Sequence, residues 1–586
     1  MTGNIAKDYS QMNKGELIEK IKRLESRKSY GLVWEDKPED VVKLCQTKLP
    51  VLTEDEDLLI ENHAERPYNL LIEGDNYHAL SVLNYTHSGK IDLIYIDPPY
   101  NTGKKDFIYN DQYVDKTDTY RHSKWLSFIE KRLKLARKLL SNRGVIFISI
   151  DENESAQLKL LLDEIFGESA FIEQIIWNKR IPKNDKGVGN IHEYIFVYAK
   201  NKEERIILTQ MKAEIDQVFE YIEELKEKQI PIPEAEKLLQ KFYSENKLSR
   251  GITLYNQLDK DYRPWGKINV SWPNSKTDGP RYDVLHPKTR KPCRVPDRGW
   301  RWKQETFLKK VDYENLKERH DGSFVCGEIW FSNDENTQPS SIKYLEEVSR
   351  LLLRSIISLK SSGGIEVSNI IGRDKFDHPK PVSLLKLLVE SIDNKNITIL
   401  DFFAGSGTTG QAVLELNRKD GGNRRFILCT NNENKIAEEV TYPRVKNVIE
   451  GYGDVEGIPA NLRYYKTEFV DVESVHNVSD QKKIELTHQA GRMIAFREDT
   501  LKETQKNDWW QIFIDKKGKT TAIYFKEDKE KLDELVEKIG KSDKAVLYIF
   551  SWGKNEYKNE FTEYKNIRVE DIPEPILEVY KEINKK

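Results

Sequence analysis

Between Tyr68 and about Lys200 the chain alternates short apolar runs with amphipathic stretches, and this alternation leaves few folds open. "NLLIEGDN" predicts a strand ending at Gly74-Asp75, followed by a helix through Ala79–Tyr85. "IDLIYI" is a second strand, "WLSFIEKRLKLARKLLS" a long helix stopped by Gly144, and "GVIFISID" a third strand. "ESAQLKLLLDEIFG" and "EYIFVYAK" add a helix and a later strand. Strands that are apolar on both faces and separated by helices require a mostly parallel sheet covered on both sides. The expected class is α/β with a doubly wound sheet. The same alternation returns, after a long interruption, in "ITILDFFAGSGTTGQAVLELN" and "RRFILCT".

A chain of 586 residues exceeds a single core, and roughly two to four domains are expected. Residues 1–50 predict a helical arm, with Leu17, Ile18, Ile21 and Leu24 on one face. Residues 51–200 form the first half of the sheet, 201–345 an insert, 346–461 the second half, and 462–586 a small separate α/β domain. Within the insert, 203–245 is charged and helical, interrupted by Pro231 and Pro233, and suits a solvated spacer or a dimer element. The stretch 250–340 is irregular and rich in Trp, Pro, Gly and Arg.

Two turns carry the chemistry. "ILDFFAGSGTTG" ends an apolar strand with Gly405-x-Gly407-x-x-Gly410 and opens a helix, which suits close approach of backbone to a ligand. The spacing matches a dinucleotide fingerprint, but the unit comes late in the chain. The next strand also ends in Cys429-Thr430-Asn431-Asn432-Glu433, without the expected acid at its tip. "KKGKTT" at 516–521 lacks the first glycine of a phosphate loop, since Phe513 stands there, and predicts a hairpin turn.

The second turn, Asp97-Pro98-Pro99-Tyr100, ends the strand "KIDLIYI". Two prolines cannot continue a ladder, and they leave carbonyl oxygens free to accept hydrogen bonds. With an acceptor-only carboxylate and a flat aromatic face, the turn is a holder for a planar group that carries an NH2. Adenine is such a group. Two acceptors on its N6 hydrogens would favour a pyramidal nitrogen whose lone pair faces an electrophile, and Tyr100 would stack on the base. In duplex DNA that atom lies inside the stack, so the base would have to be flipped out. An activated methyl donor held in line would complete the arrangement.

Together "GDN" (74–76), "DPPYNTG" (97–103) and "FAGSGTTG" (403–410) resemble the β-class S-adenosylmethionine-dependent DNA amino-methyltransferases, in which the catalytic motif also precedes the cofactor motif. The likeness extends through "HEYIFVYAK" (192–200) and "DHPKPVSLLKLLVES" (377–391), and covers about 65–200 and 345–450. "LLIEGDNYHALSVL", "LIYIDPPYNTGKKDFIYND" and the central insert resemble the Mod subunits of type III restriction-modification systems.

The resemblance implies a Rossmann-like methyltransferase core with circularly permuted motif order, and a target-recognition domain within 201–345. It implies that Asp97 and the Pro98 carbonyl accept from the target amine, that Pro99 shapes the turn and that Tyr100 stacks on the base. Asp75, Asn76, Asp401, Phe403, Ala404, Gly405, Ser406, Gly407, Thr408 and Thr430 would form the cofactor site, with Lys380 and Pro381 in the wall beside it. Ser406 and Thr408 would bond near the cofactor's methionine part and Asp75 would approach its adenine. Many relatives place an acid where Thr430 or Asn432 stands, to hold the ribose. An aspartate at position 97 favours adenine N6 over cytosine N4. Rival readings are a dinucleotide oxidoreductase, which leaves the acid–Pro–Pro–Tyr turn idle, and a non-catalytic DNA-specificity module.

Charged residues make up 33% of the chain, yet its net charge is only −3, so a nucleic-acid surface has to be local. Residues 281–310 supply one: Arg281, Arg294, Arg298 and Arg301 interleave with Trp300 and Trp302, the set expected to contact double-stranded DNA. The alternative is that these tryptophans form a small core of their own. No apolar run approaches the roughly 18 residues of a membrane span, and the opening segment carries no apolar signal core. Cys45, Cys293, Cys326 and Cys429 lack C-x-x-C spacing, which argues against a disulfide framework or a zinc site. The expectation is a reduced, cytoplasmic, metal-free homodimer that uses S-adenosylmethionine and works with a separate restriction subunit, because no nuclease or ATPase signature is visible.

Overall fold

The apolar runs form strands because each buries both faces. β1 (Lys48–Glu54), β2 (Tyr68–Glu73) and β3 (Ile91–Ile96) are followed by β4 (Leu140–Ile150), β5 (Phe171–Asn178) and β6 (His192–Ala199). After the insert come β7 (Ile356–Ser358), β8 (Thr398–Asp401), β9 (Arg425–Thr430) and β10 (Asn461–Asp471). The computed structural model describes residues 33–585, except 64, 105, 181–188, 205, 213, 275, 554–556, 558–559 and 562–563, together with 13–15 and 17–18. Most of the helical face expected over 13–28, including Ile21 and Leu24, lies outside the described residues.

Two compact units are formed, Met1–Ile207 with Arg354–Lys586, and Leu208–Leu353. In the first, the strands lie in the order β1-β10-β2-β9-β8-β3-β4-β6-β5-β7, and short Ile60–Glu61 also pairs with β10. From β10 to β4 every pairing is parallel. β6 runs antiparallel to both β4 and β5. Between the strands lie α1 (Asn76–Thr86), α2 (Arg121–Leu139), α3 (Ser155–Phe166), α4 (Val382–Glu390), α5 (Thr408–Asp420) and α6 (Tyr442–Glu450). α2 stops two residues short of the expected Ser141, because Leu140 pairs with Ile91 at the start of β4. The arrangement is the doubly wound α/β sheet that the alternation predicts.

The C-terminal region adds α7 (Gly491–Glu498), β11 (Lys502–Lys506), β12 (Trp510–Ile514), β13 (Lys519–Tyr524), α8 (Leu532–Ile539), β14 (Lys544–Phe550), β15 (Ile567–Ile572) and α9 (Glu574–Ile583). Its five strands lie in sequence order, with a hairpin between β12 and β13. One face, Trp510, Ile512, Ala522, Tyr524, Leu547 and Ile549, packs on α8. The alternate residues Phe513, Ile523, Val546 and Tyr548 join the same hydrophobic cluster as α1, α2 and β3. This corrects the expectation of a separate domain: strands apolar on both faces need a second cover, and the first sheet's helical layer supplies it.

The second unit has its own cores. Helices Ile215–Glu227 and Ile232–Glu245 bury Ile215, Val218, Ile222, Leu225, Leu239 and Tyr243 against Leu258 and Leu345. The charged stretch is therefore a packed element of this unit, not a solvated spacer; its apolar residues recur at helical spacing beneath the charges. The irregular stretch contains a six-stranded antiparallel sheet of short strands.

Candidate active site

β2, β3, β8 and β9 run parallel, so their carboxyl ends meet at one edge of the sheet. β8 pairs directly with β3, with Leu400 opposite Ile94, although about 300 residues separate them in the chain. From β8 the chain crosses to β9 on one side, and from β3 to β4 on the other. Such a divergence opens a crevice at the carboxyl ends, where open α/β sheets bind ligands.

At the end of β3, Trp125 of α2 donates its indole N–H to the Pro99 carbonyl (2.7 Å) and fixes the turn. Among the described residues no hydrogen bond reaches the Pro98 carbonyl, which leaves that acceptor for a ligand. Tyr100 donates its hydroxyl hydrogen to Asp97 Oδ1 (2.8 Å). The Lys380 ammonium lies 2.7 and 2.6 Å from the two Asp97 oxygens and 2.8 Å from the Tyr100 hydroxyl oxygen. It is also 3.4 Å from Glu193 of β6, which is paired with Lys179 at 2.6 Å. Burial pushes the Asp97 carboxyl up; Lys380 pulls it back and Glu193 pushes it further. Burial opposes the Lys380 ammonium, but Asp97 and Glu193 outweigh it and hold its pKa above the ordinary lysine value. Glu193, which burial would raise, is drawn down to about 2 by Lys380 and Lys179.

The family resemblance places Lys380 in the cofactor wall; the structure instead sets its ammonium on the acid of the turn. The residue after Lys380, Pro381, is the extended N-cap of α4. Glu193 and Lys179 join the site without having been singled out by any motif. The only signal for Glu193 is its place in "HEYIFVYAK", where an acid enters a buried strand.

Asn101, buried and left-handed at φ 57°, follows the turn. It donates to Glu154 (2.5 Å), which also meets His122 Nδ1 at 2.7 Å. Burial raises the Glu154 carboxyl to about 8, against the pull of Asn101 and Arg121. These three residues buttress the turn from below.

The loop after β8 is held from beneath by Arg444 of α6, a fully buried guanidinium. Arg444 donates to Ser406 Oγ and Thr408 Oγ1 (both 2.8 Å) and to Gln411 Oε1 (3.0 and 2.8 Å). Burial lowers its pKa to about 10. Ser406 and Thr408 therefore turn their hydroxyls inward, where the resemblance has them face the ligand. Phe403 and Gly405 are the loop positions left partly open. Gly405 (φ +48°) and Gly407 (φ +77°) take the left-handed backbone that favours glycine, and a Cβ on Gly405 would come within 3.0 Å of the Phe376 ring. Ala404 is buried, its N–H donating to the Cys429 carbonyl. Asp401 accepts from Thr409 (2.5 Å) and from the Phe403 N–H (3.0 Å), and burial lifts its carboxyl to about 7. It ties strand to loop inside the fold.

Asp75 caps α1 by accepting from the Tyr77 N–H (2.7 Å). Buried Arg132 braces it at 3.4 Å, accompanied by Asn76 and bidentate Glu39. Asn76 also donates to the Phe402 carbonyl (3.0 Å), linking the β2 and β8 turns. Gly74 donates to the Thr430 carbonyl (2.9 Å), so the ends of β2 and β9 close beside the loop. Thr430 is buried and Asn432 half-buried.

Within the second unit the expected DNA-contacting residues divide. Arg281, Arg294, Arg298 and Arg301 are exposed. Trp300 is buried in a core with Val284, Phe307, Phe324 and Phe331, and its indole N–H donates to the Tyr282 carbonyl (2.8 Å). It is a core residue and presents no face to a duplex. Trp302 is half-buried against the same cluster. Among the described residues no group of three or more His, Cys, Asp or Glu could hold a metal ion, no helix is long and apolar enough to cross a membrane, and all four cysteines are free and buried.

The acid–Pro–Pro–Tyr turn and the glycine-rich loop thus follow neighbouring parallel strands at one edge of the sheet. The DNA methylase family model (N6_N4_Mtase) matches residues 91–441, and the chain belongs to that family. It is 33% identical over 447 residues to the type III restriction-modification enzyme EcoP15I Mod subunit of Escherichia coli, covering 70% of this chain and 66% of that one. It is 32% identical over 418 residues to the StyLTI Mod subunit of Salmonella typhimurium, covering 67% and 57%. The chain thus spans somewhat under two thirds of the length of these relatives. Among solved structures, PvuII DNA methyltransferase (cytosine-N4-specific) aligns with a TM-score of 0.31 at 9% identity, over 66% of this chain and 94% of that one.

Proposed function

We propose that this chain transfers a methyl group from S-adenosylmethionine to adenine N6 in duplex DNA, as the modification subunit of a type III-like restriction-modification system. The observation that carries this reading is the pair of acceptors at the end of β3 beside the β8 loop: the Asp97 carboxylate, on which Lys380 stands, and the Pro98 carbonyl, which no hydrogen bond among the described residues reaches. The relatives are Mod subunits of type III restriction-modification enzymes, which supports a place for this chain in such a system, with a restriction subunit as the proposed partner.

The residues present fit the cofactor. Positive φ at Gly405 and Gly407 keeps the loop backbone open, Phe403 and Gly405 are partly exposed, and Asp75 offers a carboxylate beside them. Asp75, Phe403 and Gly405 would hold it, with Phe376 closing over the loop and Thr430 or Asn432 at the ribose. When bound, the cofactor supplies an electrophilic methyl group on a sulfonium.

The protein's own part is positioning. Asp97 and the Pro98 carbonyl accept the two amine hydrogens and aim the nitrogen lone pair; Tyr100, tethered to Asp97, faces the base. The methylated amine must shed a proton, and Asp97, whose affinity for protons is raised by burial, stands at that nitrogen to receive it. Exposed arginines of 281–301 would contact DNA phosphates, and a homodimer would present two such surfaces.

The test is transfer of label from S-adenosylmethionine to unmethylated duplex DNA, with mass spectrometry of the nucleosides. N6-methyl-2′-deoxyadenosine is expected in the DNA hydrolysate. Asp97→Ala should lower transfer by about a thousandfold or more while cofactor affinity stays within about twofold. Unlabelled DNA, or full activity in the alanine variant, refutes the reading.

A further inference from the structure

At the edge of the sheet opposite the candidate active site, the first unit holds a cavity of about 410 Å³. Its lining comes from five places in the chain. Lys90 precedes β3, Arg425 opens β9, Arg497 ends α7, Lys519 opens β13 and Arg568 lies near the start of β15. Glu498 and Asp499 are the only carboxylates among the lining residues.

Those two acids are already engaged. Glu498 takes Arg568 at 2.6 Å and Lys519 at 2.9 Å, and it accepts from the Tyr548 hydroxyl at 2.8 Å. Asp499 takes Arg425 at 3.0 Å. Lys90 and Arg497 have no carboxylate within ion-pair distance among the described residues. The Lys90 ammonium donates to two main-chain carbonyls, of Thr86 (3.1 Å) and Arg497 (2.7 Å), and keeps one hydrogen to give. The Arg497 guanidinium lies 4.7 Å from the Tyr85 ring centroid. Burial lowers the Lys90 pKa, helped by Arg497 and Lys519 and opposed by Glu498 and Asp499, whereas the burial of Arg497 is outweighed by Tyr85, Tyr548 and Glu498, which hold it above its ordinary value.

Five cations around two carboxylates leave the lining net positive, and a concave cationic wall focuses field on anions. We propose that this cavity is a binding site for a phosphate-bearing anion, held by Lys90 and Arg497 with Lys519, Arg425 and Arg568 around it. A phosphate group offers several acceptor oxygens to donors that converge from different directions, and guanidinium groups pair with it bidentately. The cavity volume exceeds a single inorganic phosphate and suits a polyphosphate or a nucleotide's phosphate chain. The ligand would tie the sheet that carries the catalytic turn to the C-terminal sheet, because its donors come from both. None of the residues assigned to methyl transfer takes part, so the two readings stand or fall separately.

The test uses the whole chain and sodium tripolyphosphate as probe, with inorganic phosphate as a second probe and ionic strength held constant. Calorimetry should give saturable binding of one tripolyphosphate per chain, and thermal unfolding should shift upward with its concentration. Lys90→Gln and Arg497→Gln should each weaken binding about tenfold or more, as loss of a charge-assisted hydrogen bond does. Without probe, the circular dichroism spectrum and unfolding midpoint of both variants should match those of the unaltered chain, which shows that the variants are folded. If short duplex DNA displaces the probe, the occupant is backbone phosphate; if the probe stays bound, it is a free anion. Absence of saturable binding to the unaltered chain, or unchanged affinity in both folded variants, overturns the proposal.

Discussion

The Lys380 ammonium stands on both oxygens of Asp97, the position the proposed amine hydrogens would take. Asp97 is faced by Lys380 and Tyr100, and beyond them by Glu193, Tyr95 and Asp401. Only Lys380 favours its charged form strongly; Glu193 and burial favour the neutral one. Amine binding needs the carboxylate, so activity falls as pH drops through the pKa of Asp97. Removing the cation raises that pKa, and the acid limb of kcat/KM should move to higher pH in Lys380→Met, by about one unit or more. Lys380→Arg should move it back toward the original position. An acid limb that stays put in the methionine variant would leave Lys380 a packing role only. Arg444 sets up a second prediction. Its guanidinium is what turns Ser406 and Thr408 under the loop, so Arg444→Gln should weaken S-adenosylmethionine binding about tenfold or more in calorimetry. The family resemblance marks Lys380 only as a wall residue beside the cofactor, and nothing in the sequence marks Arg444. Arg444 sits on a helix among other charges, and its burial is visible only once α6 is laid against the loop. Asp97, Pro98 and Gly405 stand out in the sequence, because prolines directly after a buried strand and glycines at a strand–helix turn interrupt regular structure.

At the scale of elements, strands are readable wherever both faces are buried, since length and flanking turns then decide the outcome. The insert is harder. Its strands are two to six residues long, and their pairing joins segments such as Pro264–Asn269 and Ser340–Tyr344 that no local pattern connects. Trp300 illustrates the ambiguity. Tryptophan between arginines suits a DNA surface and a small core equally well, and only the neighbouring Val284, Phe307 and Phe331 decide for the core. Trp300→Ala should therefore cost about 3–5 kcal/mol of stability in the insert, measured by limited proteolysis or denaturant unfolding. Arg301→Gln, at an exposed position, should leave stability within about 0.5 kcal/mol and lower the salt slope of DNA binding by about one. The reverse pattern would return Trp300 to the DNA surface.

For the whole molecule, α9 is the piece that binds the C-terminal region to the rest. Ile576, Leu577 and Tyr580 are buried in the cluster that also holds α1 and β1, and the Tyr580 hydroxyl donates to the Pro50 carbonyl. Leu577→Ala should cost about 2–5 kcal/mol. The methyltransferase sheet and the C-terminal sheet should still unfold in one transition, by calorimetry and by intrinsic fluorescence alike; two separated transitions would show that they are independent bodies. The double-sided burial of β12 to β14 is present in the sequence as continuous apolar strands. Such strands suggest a small domain of their own, because nothing in them says that the second cover is the first sheet's helical layer.

The pairing of β8 with β3 also governs how the molecule is made. During synthesis β3 and β4 emerge early, while the strand that must lie on β3's other side follows about 300 residues later. Until then the hydrogen-bonding edge of β3 is unpaired and apolar, the kind of edge that invites association with other chains. The late strand that closes this edge also delivers the glycine loop to the acid–Pro–Pro–Tyr turn. The step that removes the exposed edge is therefore the step that assembles the candidate site, and a nascent chain interrupted before Thr398 carries Asp97 without the glycine loop.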